Sequence, residues 1–175
     1  MKKTILPIQI LSIEEDGYHL MLKVHINNKK ACLLIDTGAS KTVFDIEQIK
    51  KFVDDSEFEL NEKLSTGLGT NSMQTHSVII KKIQFGDISI HHFKAILLDL
   101  THVNESYSKL DLPVIDGVLG SDLMIQYHAV IDYKLKELKL HWNGKGVLKT
   151  LVNLLIKSPT RNLTKNKKQK TRTKY

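Results

Sequence analysis

Ala31-Cys32-Leu33-Leu34-Ile35-Asp36-Thr37-Gly38-Ala39-Ser40 reads as an apolar strand that runs directly into an acid and then into turn-forming residues. A hydrophobic run normally ends on a group that meets water freely, whereas Asp36 is led in by Leu33, Leu34 and Ile35 and followed by Ala39. Burial of that kind raises a carboxyl pKa unless hydrogen bonds or a nearby charge intervene, and it marks the group for acid/base work. Thr37 can supply a hydroxyl that fixes the loop, and Gly38 allows close backbone approach or a positive φ. The plainer reading is a strand end closed by an Asp-Thr-Gly turn.

Apolar-apolar-Asp-Thr-Gly-Ala-Ser resembles the active-site signature of aspartic proteases. A second element, Val114-Ile115-Asp116-Gly117-Val118-Leu119-Gly120-Ser121-Asp122-Leu123, lies about 80 residues further on. It is similar to that family's apolar-apolar-Gly segment, which threads beside the catalytic loop and leads into a short helix. From Ile8 to about Trp142 the chain resembles one retropepsin-like domain, the half-size kind found in retroviral proteases and their stand-alone relatives. The resemblance implies an all-β fold: a closed acid-protease barrel with a flap hairpin and one or two short helices.

Asp-Thr-Gly occurs once, while the chemistry of this family needs two facing aspartates. Asp116, Asp122 and Asp132 are not followed by Thr/Ser-Gly and are rejected as an internal partner. The expectation is an obligate homodimer in which Asp36 meets its own counterpart on a two-fold axis. The implied function is aspartic endopeptidase: two Asp36 carboxyls share a proton, the charged one activates water, the protonated one polarises the scissile carbonyl, and activity is bell-shaped in pH. By the resemblance, Thr37 bonds across the axis, Gly38 and Ala39 hold substrate backbone, and Val118, Leu119 and Gly120 flank the loop. Ser40 and Ser121 stand where retroviral enzymes carry an aspartate and an arginine, so the salt bridge that braces those dimers is absent. The rival from another class is a non-catalytic dimer of the same fold that holds peptides or a protein partner.

The chain carries 26 Lys and Arg against 19 Asp and Glu. Seven of the basic residues, and none of the acids, lie in 158–175, which leaves the remainder neutral with 19 of each sign. Two units are therefore expected: a protease domain over 1–157, with an added helix at 147–156, and a basic, disordered tail over 158–175. The plain reading of the tail is a solvated terminus; the sharper one is a weak, nonspecific polyanion contact. One cysteine, Cys32, cannot form an internal disulfide and reads as a packed side chain, which fits a reducing, cytoplasmic setting. The opening Met1-Lys2-Lys3 followed by an apolar run imitates a secretory signal, but Pro7 and Gln9 interrupt it and it reads as the first strand. No run approaches the length of a membrane span.

Leu20, Leu22, Val24 and Ile26 alternate with His19, Met21, Lys23 and His25, the period of a half-buried strand. Asp45 is placed to cap a helix through Val53. Leu64 to Thr75 suits a mobile hairpin, and Gly67, Leu68 and Gly69 are assigned to the flap and substrate binding through the resemblance. As a phosphate loop this stretch lacks a third glycine and a Lys-Ser/Thr. Val78 to Phe85 and Ile88 to Leu98 form a hairpin about Gly86-Asp87, and Thr101 to Leu112 reads as a polar loop. The eight histidines include no His-Glu-x-x-His, and His91-His92 are expected on opposite strand faces, so neither a metal nor any other cofactor is expected.

Overall fold

The computed structural model describes residues 1–13, 17–61 and 75–143. The flap residues Gly67, Leu68 and Gly69, the helix expected at 147–156 and the tail at 158–175 lie outside the described residues.

Ten strands are formed among the described residues: β1 (Lys2–Ile13), β2 (Gly17–Ile26), β3 (Lys29–Ile35), β4 (Val43–Asp45), β5 (Glu59–Asn61), β6 (Thr75–Phe85), β7 (Ile88–Leu98), β8 (Gly117–Leu119), β9 (Val130–Asp132) and β10 (Glu137–Trp142). Two α-helices, α1 (Thr101–Lys109) and α2 (Ser121–Gln126), flank β8. The strand order is β5-β6-β7-β4-β8-β3-β2-β1-β10-β9, and a further β6–β2 pairing closes six strands into a barrel. β1 bridges two layers: Lys2–Pro7 pair with β10, and Ile8–Ile13 pair with β2.

Turn chemistry fixes the registers. Asn27 and Asn28, with φ of 47° and 68°, join β2 to β3 with Ile26 opposite Lys29, the two-residue geometry that needs positive φ at both centres. Gly86, at φ 55°, joins β6 to β7. The inward residues Leu22, Ile26, Leu33, Phe44, Ile83 and Leu97 are sealed from solvent inside the barrel. Each such side chain contributes roughly 1.5–3 kcal/mol by leaving water.

Four expectations need correction. Thr101–Lys109 is a helix, not a loop. Asp99 Oδ1 accepts from Thr101 N at 2.9 Å to start it, and Val103 and Tyr107, four residues apart, turn toward the barrel. Two apolar positions were too few to show as a period. Met21 is buried, because α1 covers the outer face of the sheet there and gathers Leu11, Met21, Tyr107, Ile115 and Val118 into a second core. The helix expected after Asp45 is a single 3-10 turn at Gln48–Lys51. Asp45 does hold its start, accepting from Glu47 N (3.1 Å) and Gln48 N (2.7 Å), but its other oxygen takes Leu100 N (2.9 Å), and Ile49 and Phe52 are drawn into the core. His91 and His92 are both exposed, because His92 takes φ 52° and breaks the alternation.

Candidate active site

β3 enters the barrel between β2 and β8, antiparallel to the first and parallel to the second, with Leu33, Leu34 and Ile35 opposite Gly117, Val118 and Leu119. The ladder continues one step past the strand: Asp36 N donates to Leu119 O at 3.1 Å. The backbone of Asp36 is therefore held by the apolar-apolar-Gly segment.

The loop then folds onto its own acid. Asp36 Oδ1 accepts from Gly38 N at 2.8 Å and from Ala39 N at 3.3 Å, which fixes the carboxylate against the turn. Gly38 has no left-handed backbone. A Cβ there would come within 3.2 Å of Asp36 Oδ1, so the residue is needed for close approach. Asp36, Thr37, Gly38 and Ser40 are exposed and Ala39 is half-buried. The burial expected for Asp36 is thus absent in the single chain. Its apolar approach residues Leu33 and Ile35 point into the core, while the acid sits past the strand end at the surface.

Ser121 takes over part of the bracing within the chain. Its Oγ donates to Thr37 O at 2.7 Å, and its amide donates to Ala39 O at 2.8 Å. Behind it, Thr42, only 2% exposed, receives Gly120 N on Oγ1 at 3.0 Å and donates that hydroxyl to Asp122 Oδ1 at 2.7 Å. Asp122 Oδ1 also accepts from Thr42 N (2.8 Å) and Leu123 N (2.9 Å). The sequence gives Thr42 no role at the site, since nothing local marks a threonine whose partners lie some 80 residues away. Gly117 and Gly120 let these strands meet: a Cβ on Gly117 would lie 2.5 Å from Val43 O, and one on Gly120 would lie 2.4 Å from Lys41 C and O.

Asp116, rejected as a second acid, proves to be structural. It is 5% exposed; Oδ2 accepts from Cys32 N at 2.7 Å, and Oδ1 pairs with Lys51 Nζ at 2.7 Å. Cys32 is half-buried, and burial first, then the Asp116 charge, push its thiol pKa up, which suits packing and not nucleophilic work. Asp116→Ala is expected to cost about 1–3 kcal/mol by leaving the Cys32 amide without its carboxylate, measured by urea unfolding. Lys51→Ala should cost less, because that lysine is half exposed.

Beside the loop, Thr37, Ser121, Met124, Ile125, Ala129 and Ile131 line an open groove of about 450 Å³. A larger cleft of about 620 Å³, lined by Asn27, Lys29, Lys51 and Asp54 among others, opens at the far end of β3, roughly 20 Å of strand from Asp36, and is unconnected with the acid. Among the described residues no cluster of His, Cys, Asp and Glu is arranged to hold a metal ion, and no helix is long and apolar enough to cross a membrane.

A family model described as aspartyl protease matches residues 22–123, a span that includes β3, the Asp36 loop and β8. No curated protein matches the chain. Among solved structures it is similar to a retropepsin-like aspartic protease from Rickettsia conorii, at 21% identity over 79% of this chain and 89% of that one, with a TM-score of 0.51. It is also similar to the retroviral protease-like domain of Ddi1 from Leishmania major, at 14% identity over 70% and 87% of the two chains, TM-score 0.48. EIAV protease, complexed with the inhibitor HBY-793, matches at 19% identity over 70% and 99%, TM-score 0.41. With more than half its length matched by the family model and a closed barrel like that of the Rickettsia enzyme, this chain belongs to the aspartyl protease family and has its retropepsin-like fold.

Proposed function

We propose that the chain is an aspartic endopeptidase whose working form is a homodimer, with Asp36 of each copy supplying half of the catalytic dyad. The observation that carries this reading is the state of Asp36: its main chain is tied to Leu119 and its carboxylate to Gly38 and Ala39, yet it faces outward. A fixed, accessible acid at the surface of one chain is half of a site. Two such carboxylates brought together cannot both stay ionised, so they share a proton, and the charged member takes the proton of the attacking water while the other donates to the carbonyl oxygen. Thr37, Gly38 and Ala39 carry the loop, and Val118, Leu119 and Gly120 support it from behind. No cofactor enters the reaction, and the substrate is an extended peptide or unfolded protein segment.

The surface beside the loop supports a second copy as partner. Ile125, which lines the groove together with Thr37, is 74% exposed and offers apolar area that a partner copy would cover. Specific activity should therefore fall on dilution as dimers separate. Ile125→Asp, which places a charge on that apolar surface, should raise the dissociation constant of the dimer by about tenfold or more, as read by analytical ultracentrifugation. The function itself is tested by cleavage of a denatured protein mixture from acid to neutral pH by the purified chain and by Asp36→Asn, with solution masses of both. A dimeric but inert wild type would transfer the reading to a peptide-binding module.

A further inference from the structure

Helix α1 packs Val103 and Tyr107 against the segment beside the Asp36 loop and hydrogen-bonds that segment through Asn104. Asn104 uses both ends of its amide on a single residue: Oδ1 accepts from Ile115 N at 2.9 Å, and Nδ2 donates to Ile115 O at 3.2 Å. Ile115 is wholly buried, so these main-chain groups have no recourse to bulk water. The next residue passes the constraint on. Asp116 N donates to Cys32 O at 2.8 Å while its carboxylate receives Cys32 N, so both main-chain groups of Cys32 are gripped. From there the parallel β3–β8 register runs through Leu33, Leu34 and Ile35 to the bond between Asp36 N and Leu119 O.

The helix is itself anchored. Asp45 accepts from Leu100 N at the start of α1, and Tyr107, buried at its end, bonds through its hydroxyl to His19 Nδ1 on β2. Asn104 lies between those anchors, bonded to both main-chain groups of Ile115.

We propose that Asn104 is a positioning residue for Asp36: it holds Ile115, and through Asp116 and the β3–β8 ladder it sets the place of the catalytic carboxylate. This rests on the endopeptidase reading for its kinetic consequence, but not for its structural one. Loss of the amide frees two buried main-chain groups, and the 115–119 segment shifts to find partners for them. A displacement on the order of 1 Å at a reacting group can cost about a hundredfold in rate.

Three variants separate positioning from space filling. Asn104→Leu keeps the size and the helix but has no polar atoms; Asn104→Ala removes both; Asn104→Asp keeps the acceptor for Ile115 N and loses the donor. The expected result is a fall in kcat of about tenfold or more for Leu and Ala, a smaller fall for Asp, and KM within about twofold throughout. Amide hydrogen exchange at Cys32, Ile115 and Asp36 should quicken in the same order. If Asn104→Leu matches the wild type in kcat and in exchange at those amides, the inference is overturned, whatever happens to its melting temperature. If Asn104→Ala does not fold, the Leu and Asp variants decide. Should the wild type show no cleavage that depends on Asp36, the functional reading falls and the exchange rates still decide the positioning one.

Discussion

Replacing Asp36 with asparagine is expected to lower kcat/KM by about a thousandfold or more while leaving the fold intact. General acid–base groups contribute roughly 10²–10⁴-fold each, and in a symmetric dimer the single substitution removes both acids. Asparagine has nearly the shape of aspartate and keeps a carbonyl oxygen where Gly38 N and Ala39 N donate, so the turn survives. What it cannot do is take a proton from water. Urea midpoints of the two proteins should therefore coincide while the rates diverge. Mixing gives a sharper test, since the proposed dyad takes one acid from each copy. Added to a fixed amount of wild type, an equal amount of Asp36→Asn chain should about halve the activity through mixed dimers, and an excess should abolish it. Undiminished activity in the mixture would mean that the site is complete within one chain, and the shared dyad would be wrong.

The parts of this architecture that follow local rules were legible in the sequence. β2 shows its alternation and ends at Asn27-Asn28, residues that accept positive φ, and the β6–β7 hairpin is announced by Gly86. The Asp36 loop and the Val118-Leu119-Gly120 segment were found together as two matched stretches, and β8 does lie parallel to β3. What escaped depends on distant partners. Helix α1 has only Val103 and Tyr107 to bury, and it is fixed by Asp45, His19 and Ile115, none of them near it in a way that periodicity can report. Met21 became a core residue only because that helix covers it. The two acids of the second motif looked alike as spare carboxylates. Asp116 instead ties Cys32 to Lys51, 84 and 65 residues away, and Asp122 closes on Thr42, stiffening the end of the loop that carries Asp36. The one acid expected to be buried is exposed, because a strand's apolar lead-in fixes the position of its last residue but not the cover over it.

That stiffening makes Gly120→Ala the most damaging small substitution expected in the chain. Its backbone, at φ −96° and ψ 177°, is open to any residue, so the requirement is for space and not conformation. An added Cβ would sit 2.4 Å from Lys41 C and O and 2.8 Å from Thr42 N, all of them main-chain atoms that no rotamer change can move aside. Relief requires β8 and the 41–42 segment to separate, which breaks the bond from Gly120 N to Thr42 Oγ1 and pulls Thr42 away from Asp122. Overpacking costs about 1–3 kcal/mol, and the lost buried hydrogen bonds add to it, so a destabilisation of about 3 kcal/mol or more is expected in urea unfolding. Activity should fall further than stability, because Ser121, the next residue, holds Thr37 O and Ala39 O. Gly38→Ala provides the contrast. Its Cβ would meet only Asp36 Oδ1, at 3.2 Å, a side-chain atom that can turn away, so its unfolding midpoint should stay close to wild type while cleavage drops as the carboxylate leaves its place. If Gly120→Ala proved as stable as Gly38→Ala, the packing of β8 against Lys41 and Thr42 would not be what holds the loop.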